Sequence, residues 1–156
     1  MPNDLTLRPA TTNDLPNIIR LICDDELGVT RESFTDPLLR SYYQAFQEIT
    51  EDKNQMLLVV ESQNKVIGTC HLTFMPSLSS KGAKRLNLEN IHVGKHFQGQ
   101  GIGTWMIEKV IVLGQEKGCK IIQLTTNKKR VSAKAFYEKL GFTASHEGMK
   151  LYLDCS

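Results

Sequence analysis

The run Gln98-Gly99-Gln100-Gly101-Ile102-Gly103, followed by Thr104, carries the clearest chemical signal in the chain. It falls between a strand ending at Val93 and a helix beginning near Ile102. Glycines let successive backbone N–H groups converge without interference from a Cβ, and a helix N-terminus adds roughly half a positive charge. Together these suit a pyrophosphate held mainly by main chain. Two other phosphate-binding patterns do not fit. The dinucleotide fingerprint needs G-x-G-x-x-G early in a parallel βαβ unit with an acidic residue about 20 positions on. The G-x-x-x-x-G-K-[ST] pattern needs a lysine that is missing between Gly103 and Thr104.

The flanking sequence supplies the elements that must hold this turn. Leu5 and Leu7 alternate with polar residues and read as a short first strand, interrupted at Arg8-Pro9-Ala10. Thr12-Asn13-Asp14 offers N-cap chemistry ahead of Leu15, Ile18, Ile19 and Ile22, which share one helical face. Asp24 to Thr35 reads as a loop or short irregular connection. Leu38 to Ile49 has a wide apolar helical face. Met56 to Ser62 and Lys65 to Phe74 form two antiparallel strands around a tight Gln63-Asn64 turn, and Ala83 to Val93 is a further strand. Thr104 to Gly114 is a helix with Gly118 as C-cap. Lys120 to Thr126 is a short strand, Ser132 to Leu140 a helix stopped by Gly141, and Lys150 to Leu153 a final strand. No repeat or linker is visible. At 156 residues the chain is expected to form one domain, a mixed α/β fold with one sheet and helices on both faces.

Two motifs at this spacing resemble the GNAT family of N-acetyltransferases. Gln98, Gly101 and Gly103 match its [QR]-x-x-G-x-[GA] element, and Ala133-Lys134-Ala135-Phe136-Tyr137-Glu138-Lys139-Leu140-Gly141-Phe142 looks like its A-x-x-F-Y-x-x-x-G-F segment. The resemblance covers essentially the whole chain, with the N-terminal third matched by pattern alone. It implies a mostly antiparallel central sheet with a splayed strand pair at the cofactor cleft. Many members carry Asn three residues before the alanine of the second motif, where this chain has Arg130. That variant, with Leu7-Arg8-Pro9-Ala10-Thr11 and Leu21-Ile22-Cys23, is similar to the aminoalkylphosphonate N-acetyltransferase branch. Steering of the CoA phosphates by Arg130 is the expectation preferred over a role in substrate choice.

The resemblance also implies roles. The reaction expected is acetyl transfer from acetyl-CoA to a primary amine of a small molecule, which must lose a proton to attack. Glu89 stands where several members place the carboxylate that receives this proton, with Asn90 and His92 as rivals, and His71 and His96 behind them. On simple alternation, His92 faces the same side as Asn90. Tyr137 stands where the family's tyrosine protonates the departing thiolate. Main-chain groups of Ile91 and Val93 would bond the pantetheine arm, and His92, Asn127, Ala133 and Phe136 would join the cofactor-binding set, Phe136 also reading as core. Apart from the resemblance, the charges of Asp24, Asp25 and Glu26 suit a cationic amine and those of Arg31 or Arg40 an acidic group on the same molecule, as in an amino acid or aminophosphonate, against the alternative of plain surface charge.

Composition narrows the alternatives. A net charge of +2 is too small for a nucleic-acid footprint, and Lys128-Lys129-Arg130 and Lys81, Lys84, Arg85 are local clusters only. Cys23, Cys70, Cys119 and Cys155 show neither disulfide nor zinc spacing and read as free thiols. With no signal peptide pattern and no apolar run near about 20 residues, the expectation is a cytoplasmic protein without membrane or metal. Homodimers are common among similar proteins. The competing functions are acetylation of a protein lysine or N-terminus, and a non-catalytic acyl-CoA sensor.

Overall fold

The computed structural model describes residues 1–25 and 27–153. Glu26 and Cys155, both named above, lie outside the described residues. The chain divides into two compact units, Met1–Gln123 and Leu124–Ser156.

The first unit is built on a sheet whose strands follow chain order: β1 (Thr6–Pro9), β2 (Gln55–Ser62), β3 (Lys65–Met75), β4 (Arg85–Val93) and β5 (Ile121–Leu124). The pairs β1–β2, β2–β3 and β3–β4 are antiparallel. The first strand runs through Arg8 and Pro9, where the sequence suggested a break. It is an edge strand, and proline's missing N–H costs no ladder bond on an open edge. Gln63 and Asn64 both adopt positive φ, 49° and 59°, the geometry that matches the right-handed twist of a two-residue hairpin. Asparagine tolerates that region by hydrogen-bonding locally, so a hairpin forms without Asn-Gly.

Residues directly opposite in an antiparallel ladder share a face, and this sorts the sheet. Leu58, Cys70, Leu72, Phe74, Leu86 and Leu88 lie on one face, and all are buried. Helix α5 (Ile102–Glu116) covers it with Ile102, Met106, Ile107 and Val110, and an added Cβ at Gly114 would stand 2.9 Å from the Leu86 side chain. On the other face Val59, buried, and Leu57 pack into a cluster with Leu15, Ile18, Ile19 and Ile22 of α1 (Leu15–Cys23) and Phe46 of α3 (Arg40–Glu51). The i, i+3, i+4, i+7 spacing of the α1 residues puts all four on one side. Each such side chain contributes about 1.5–3 kcal/mol by leaving water. Helices on both faces of one mostly antiparallel sheet are therefore observed.

Local chemistry starts α1. Thr11 and Asp14 form a capping box around one 3-10 turn, and Arg8 clamps Asp14 through two bonds of 2.7 and 3.0 Å while also reaching Glu61. This guanidinium holds the Asp14 carboxyl below its usual range. The connection read as irregular contains one helical turn, α2 (Gly28–Arg31), and the Pro76-to-Gly82 connection contains another, α4 (Ser79–Gly82), in which Ser80 and Lys81 are left-handed.

The second unit contains α6 (Val131–Lys139), ended by Gly141 at φ 95°. Its Tyr137 ring meets Phe136 and Phe142 edge-on, at 5.1 and 5.8 Å between centroids. The strand expected at Lys150 to Leu153 does not form, and Leu151, Tyr152 and Leu153 are exposed. Four alternating residues make a strand only against a partner edge, and the described residues of this unit supply no second strand beyond Leu124.

Candidate active site

The glycine-rich turn is built as its composition requires. After β4, Gly94 bonds through its N–H to the Ile67 carbonyl at 2.8 Å, and a 3-10 turn over Lys95–Phe97 leads outward. Gly99 and Gly101 then take φ of 75° and 83°. A residue with Cβ is strained there, although nothing crowds either position: no atom lies within 4 Å of a Cβ at Gly99, and Met1 Sδ lies 3.9 Å from one at Gly101. Backbone conformation, not space, selects glycine.

Gly101 is the N-cap of α5, and the first intrahelical bond runs from the Trp105 N–H to the Gly101 carbonyl. No side chain caps this end, so the N–H groups of Ile102, Gly103 and Thr104 have no intrahelical or capping partner. Two side chains brace the turn. Gln98 donates its amide to the Val93 carbonyl at 3.0 Å, and Gln100 donates to the His96 carbonyl at 3.2 Å. This ties the turn to the end of β4 and leaves the main-chain donors uncommitted, which fits a diphosphate-bearing ligand such as acetyl-CoA.

Strand β4 carries Glu89, Ile91, His92 and Val93, the last three half-buried and Glu89 exposed. β5 is short, and its Gln123 bonds Arg85 at 3.3 Å and Asn87 at 3.5 Å. The β5 strand thus accompanies the first half of β4.

Simple alternation fails at Asn90. In the β3–β4 ladder Glu89 pairs with His71 and His92 pairs with Thr69, so β4 uses three steps where β3 uses two. Asn90 sits at φ 48° inside this bulge. Thr69 and His71 are on one side of β3, so Glu89 and His92 share a face. Simple alternation would set Glu89 and His92 on opposite faces; the inserted residue inverts the side-chain period beyond it and brings them together.

Two hydrogen-bonded chains converge on Glu89 and His71. From one side Arg85 donates to Gln123, Gln123 to Asn87, and Asn87 to Glu89 at 3.1 Å. From the other, Gln55 donates its amide to Asp52 at 2.9 Å and turns its oxygen to His71 Nε2 at 2.7 Å. Burial pushes the His71 imidazole below its ordinary value, and the Glu89 carboxylate opposes this in part. Gln55 and Asp52 were not singled out in the sequence, and His71 stood there only behind Glu89, Asn90 and His92, because cross-strand register carries no local signal.

The remaining candidates occupy other places. Asn127 accepts the Lys129 N–H on its own side-chain oxygen at 2.9 Å, a turn that leads into α6. Arg130 is the N-cap of α6, and Ala133, Phe136 and Tyr137 are half-buried along it; all belong to the second unit. Arg31 pairs with Glu32 at 3.2 Å on the surface, and Asp24 and Arg40 are exposed. Cys23, Cys70 and Cys119 are free. Among the described residues no cluster of three or more His, Cys, Asp or Glu side chains is set to hold a metal, and no helix is long and apolar enough to cross a membrane.

Known proteins share this architecture and sequence. A crystal structure titled as a transcriptional regulator from Bacillus halodurans is 42% identical, covers 96% of this chain and 99% of its own, and superposes with a TM-score of 0.93. A protein named as an uncharacterized N-acetyltransferase in Methanocaldococcus jannaschii is 24% identical over 88% of this chain and 60% of its own length. The glucosamine 6-phosphate N-acetyltransferase of Trypanosoma brucei brucei is 29% identical over 57% of this chain and 58% of its own. The matched region thus spans about 60% of the length of these two curated relatives. The model of the acetyltransferase (GNAT) family matches residues 23–142, from the end of α1 through the second motif, and the chain belongs to that family.

Proposed function

We propose that the protein transfers the acetyl group of acetyl-CoA to the primary amine of a small molecule, as a single N-acetyltransferase domain. The observation that carries this reading is the uncapped N-terminus of α5 behind Gly99 and Gly101, in a member of an acetyltransferase family. In this reading Gln98 to Thr104 receive the pyrophosphate, and Ile91 and Val93 pair with the pantetheine arm along β4. His92, Asn127, Arg130, Ala133 and Phe136 complete the cofactor-binding set.

The chemistry follows from the acceptor's charge. A protonated amine has no lone pair, so Glu89 takes one proton before attack on the thioester carbon. The C–N bond forms, the C–S bond breaks, and Tyr137 protonates the departing thiolate. The amine yields two protons in all, one ending on CoA-SH through Tyr137 and one released to water through Glu89. Support for Glu89 comes from its exposure and its held orientation through Asn87. An amine sugar phosphate is acted on by one relative in its name, which favours a small acceptor over a protein chain.

Thiol release from acetyl-CoA, read across amines, amino acids, aminophosphonates, amine sugar phosphates and peptides, tests the proposal. Turnover with a small amine supports it. Turnover with peptides alone moves the acceptor to a protein, and binding of acetyl-CoA without turnover on any member favours the sensor.

A further inference from the structure

The polar row on the α1–α3 face of the sheet holds a titratable group that the proposed mechanism leaves idle. His71 stands directly opposite Glu89 in the β3–β4 ladder, a position that puts Cβ atoms about 4.5–5.5 Å apart. Its Nε2 meets the Gln55 side-chain oxygen at 2.7 Å. The orientation of that amide is settled by its other end, because Gln55 Nε2 donates to the Asp52 carboxylate. An amide oxygen only accepts, so His71 Nε2 must carry the hydrogen. In the neutral ring the lone pair is then on Nδ1. No buried side-chain nitrogen or oxygen among the described residues lacks a partner, so Nδ1, which takes part in no hydrogen bond with the described residues, is reached by solvent.

We propose that His71 is a second proton acceptor of the amine site, with Nδ1 taking the proton that Glu89 draws from the acceptor and with Gln55 and Asp52 fixing the tautomer. The inference rests on the acetyltransferase reading. The amine proton moves to Glu89 and then, through the solvent that reaches Nδ1, to the ring, giving an imidazolium whose Nε2–H stays on Gln55, and bulk water removes it after turnover. The register makes the pairing possible: the Asn90 bulge places Glu89 and His92 on the His71 side of the sheet. Lowered basicity from burial keeps the ring neutral, and so able to accept, around pH 7. Glu89 is the charge acting on it from β4, Gln55 is its neutral contact on β2, and Asp52 acts through Gln55. On α1 and α3 the residues packed into this core are apolar apart from the titratable Cys23 and Tyr42, and Arg20, Arg40, Glu48 and Glu51 are exposed.

Two measurements test it. Long-range proton–nitrogen NMR of the histidine-labelled protein reads the tautomer without requiring turnover. A His71 ring with its hydrogen on Nε2 at pH 7.5 is expected, and a hydrogen on Nδ1 overturns the proposal whatever the activity. The second is the pH profile of kcat/KM with the best acceptor from the panel. His71→Asn should lower kcat/KM at pH 7 by about 10- to 100-fold and remove the acid limb set by the imidazole. Glu89→Gln removes the first acceptor and should lower kcat/KM itself, and in its residual turnover that limb should lie at lower pH, because the charge that raises the His71 value is gone. Should His71→Asn fail to fold, Gln55→Leu, which frees the tautomer, should displace the limb. A limb lost in Glu89→Gln and unchanged in both other variants makes Glu89 the sole base and refutes the relay while leaving the acetyltransferase reading intact.

Discussion

Replacing Gly101 by Asp tests the anion site most directly, because the structure separates the two ways it can act. The residue sits at φ 83° and ψ 2°, so any side chain there adds about 1–2 kcal/mol of backbone strain. That strain lowers Tm by about 2–4 °C per kcal/mol in a domain of this size. It does not by itself block a ligand, since the nearest atom to a new Cβ is 3.9 Å away. The carboxylate is the second effect. At about 5 Å from a pyrophosphate oxygen, a full charge costs about 1 kcal/mol in water and about 3 kcal/mol at an effective dielectric of 20. Acetyl-CoA affinity should therefore fall about 5- to 150-fold, and further because the new side chain can cap the same N–H groups. Gly101→Ala carries the strain without the charge and should lose only a few-fold. The assay is isothermal titration with acetyl-CoA on all three proteins, with thermal melts to confirm folding. A folded Gly101→Asp protein with undiminished affinity would refute the placement of the pyrophosphate at this turn.

Three further outcomes are expected. Tyr137→Phe should lower kcat by about tenfold or more with acetyl-CoA affinity unchanged; parallel loss of both in steady-state and binding measurements would assign the ring to packing with Phe136 and Phe142 instead. Gly114→Ala gains helix propensity of about 1 kcal/mol, yet its Cβ would stand 2.9 Å from Leu86, a side chain with no exposed surface. The clash should win, with net destabilisation of about 1–2 kcal/mol in urea melts, and a stabilised variant would mean that the α5 seam yields. Asp14→Asn weakens both the Arg8 clamp and the capping box, for a loss of about 2 kcal/mol at neutral pH. The Asp14 carboxyl is lowered in the folded state, so its contribution is complete above the unfolded carboxylate value and disappears as pH falls through the folded one. Wild type and variant should therefore converge in stability as pH falls below the usual carboxylate range, and a constant gap across pH in denaturant titrations would contradict the linkage.

Much of this was open to inspection in the chain. The α1 face announced itself because helical periodicity is local, and so did the cap at Thr11 to Asp14, although the chemistry there resolved into a 3-10 turn before α1. Gly99 and Gly101 were legible because a strand-to-helix turn with converging amides admits little else. The Lys150-to-Leu153 strand was misread for the complementary reason. Alternation records a willingness to pair, and pairing needs an edge that a neighbouring segment must offer.

What the sequence determined by itself was the order of β1 to β5 and of α1, α3, α5 and α6, the glycine-rich turn at the start of α5, and the set of carboxylate, imidazole and phenol groups in the chain. These follow from dihedral preference and periodicity, which act over a few residues. Only the tertiary structure decided which of those groups stand together. The Asn90 bulge turns Glu89 and His92 to one face, and the β2–β3–β4 register sets His71 between Gln55 and Glu89. A ladder's register depends on bulges and on residues tens of positions apart, and one extra residue reverses every side chain after it.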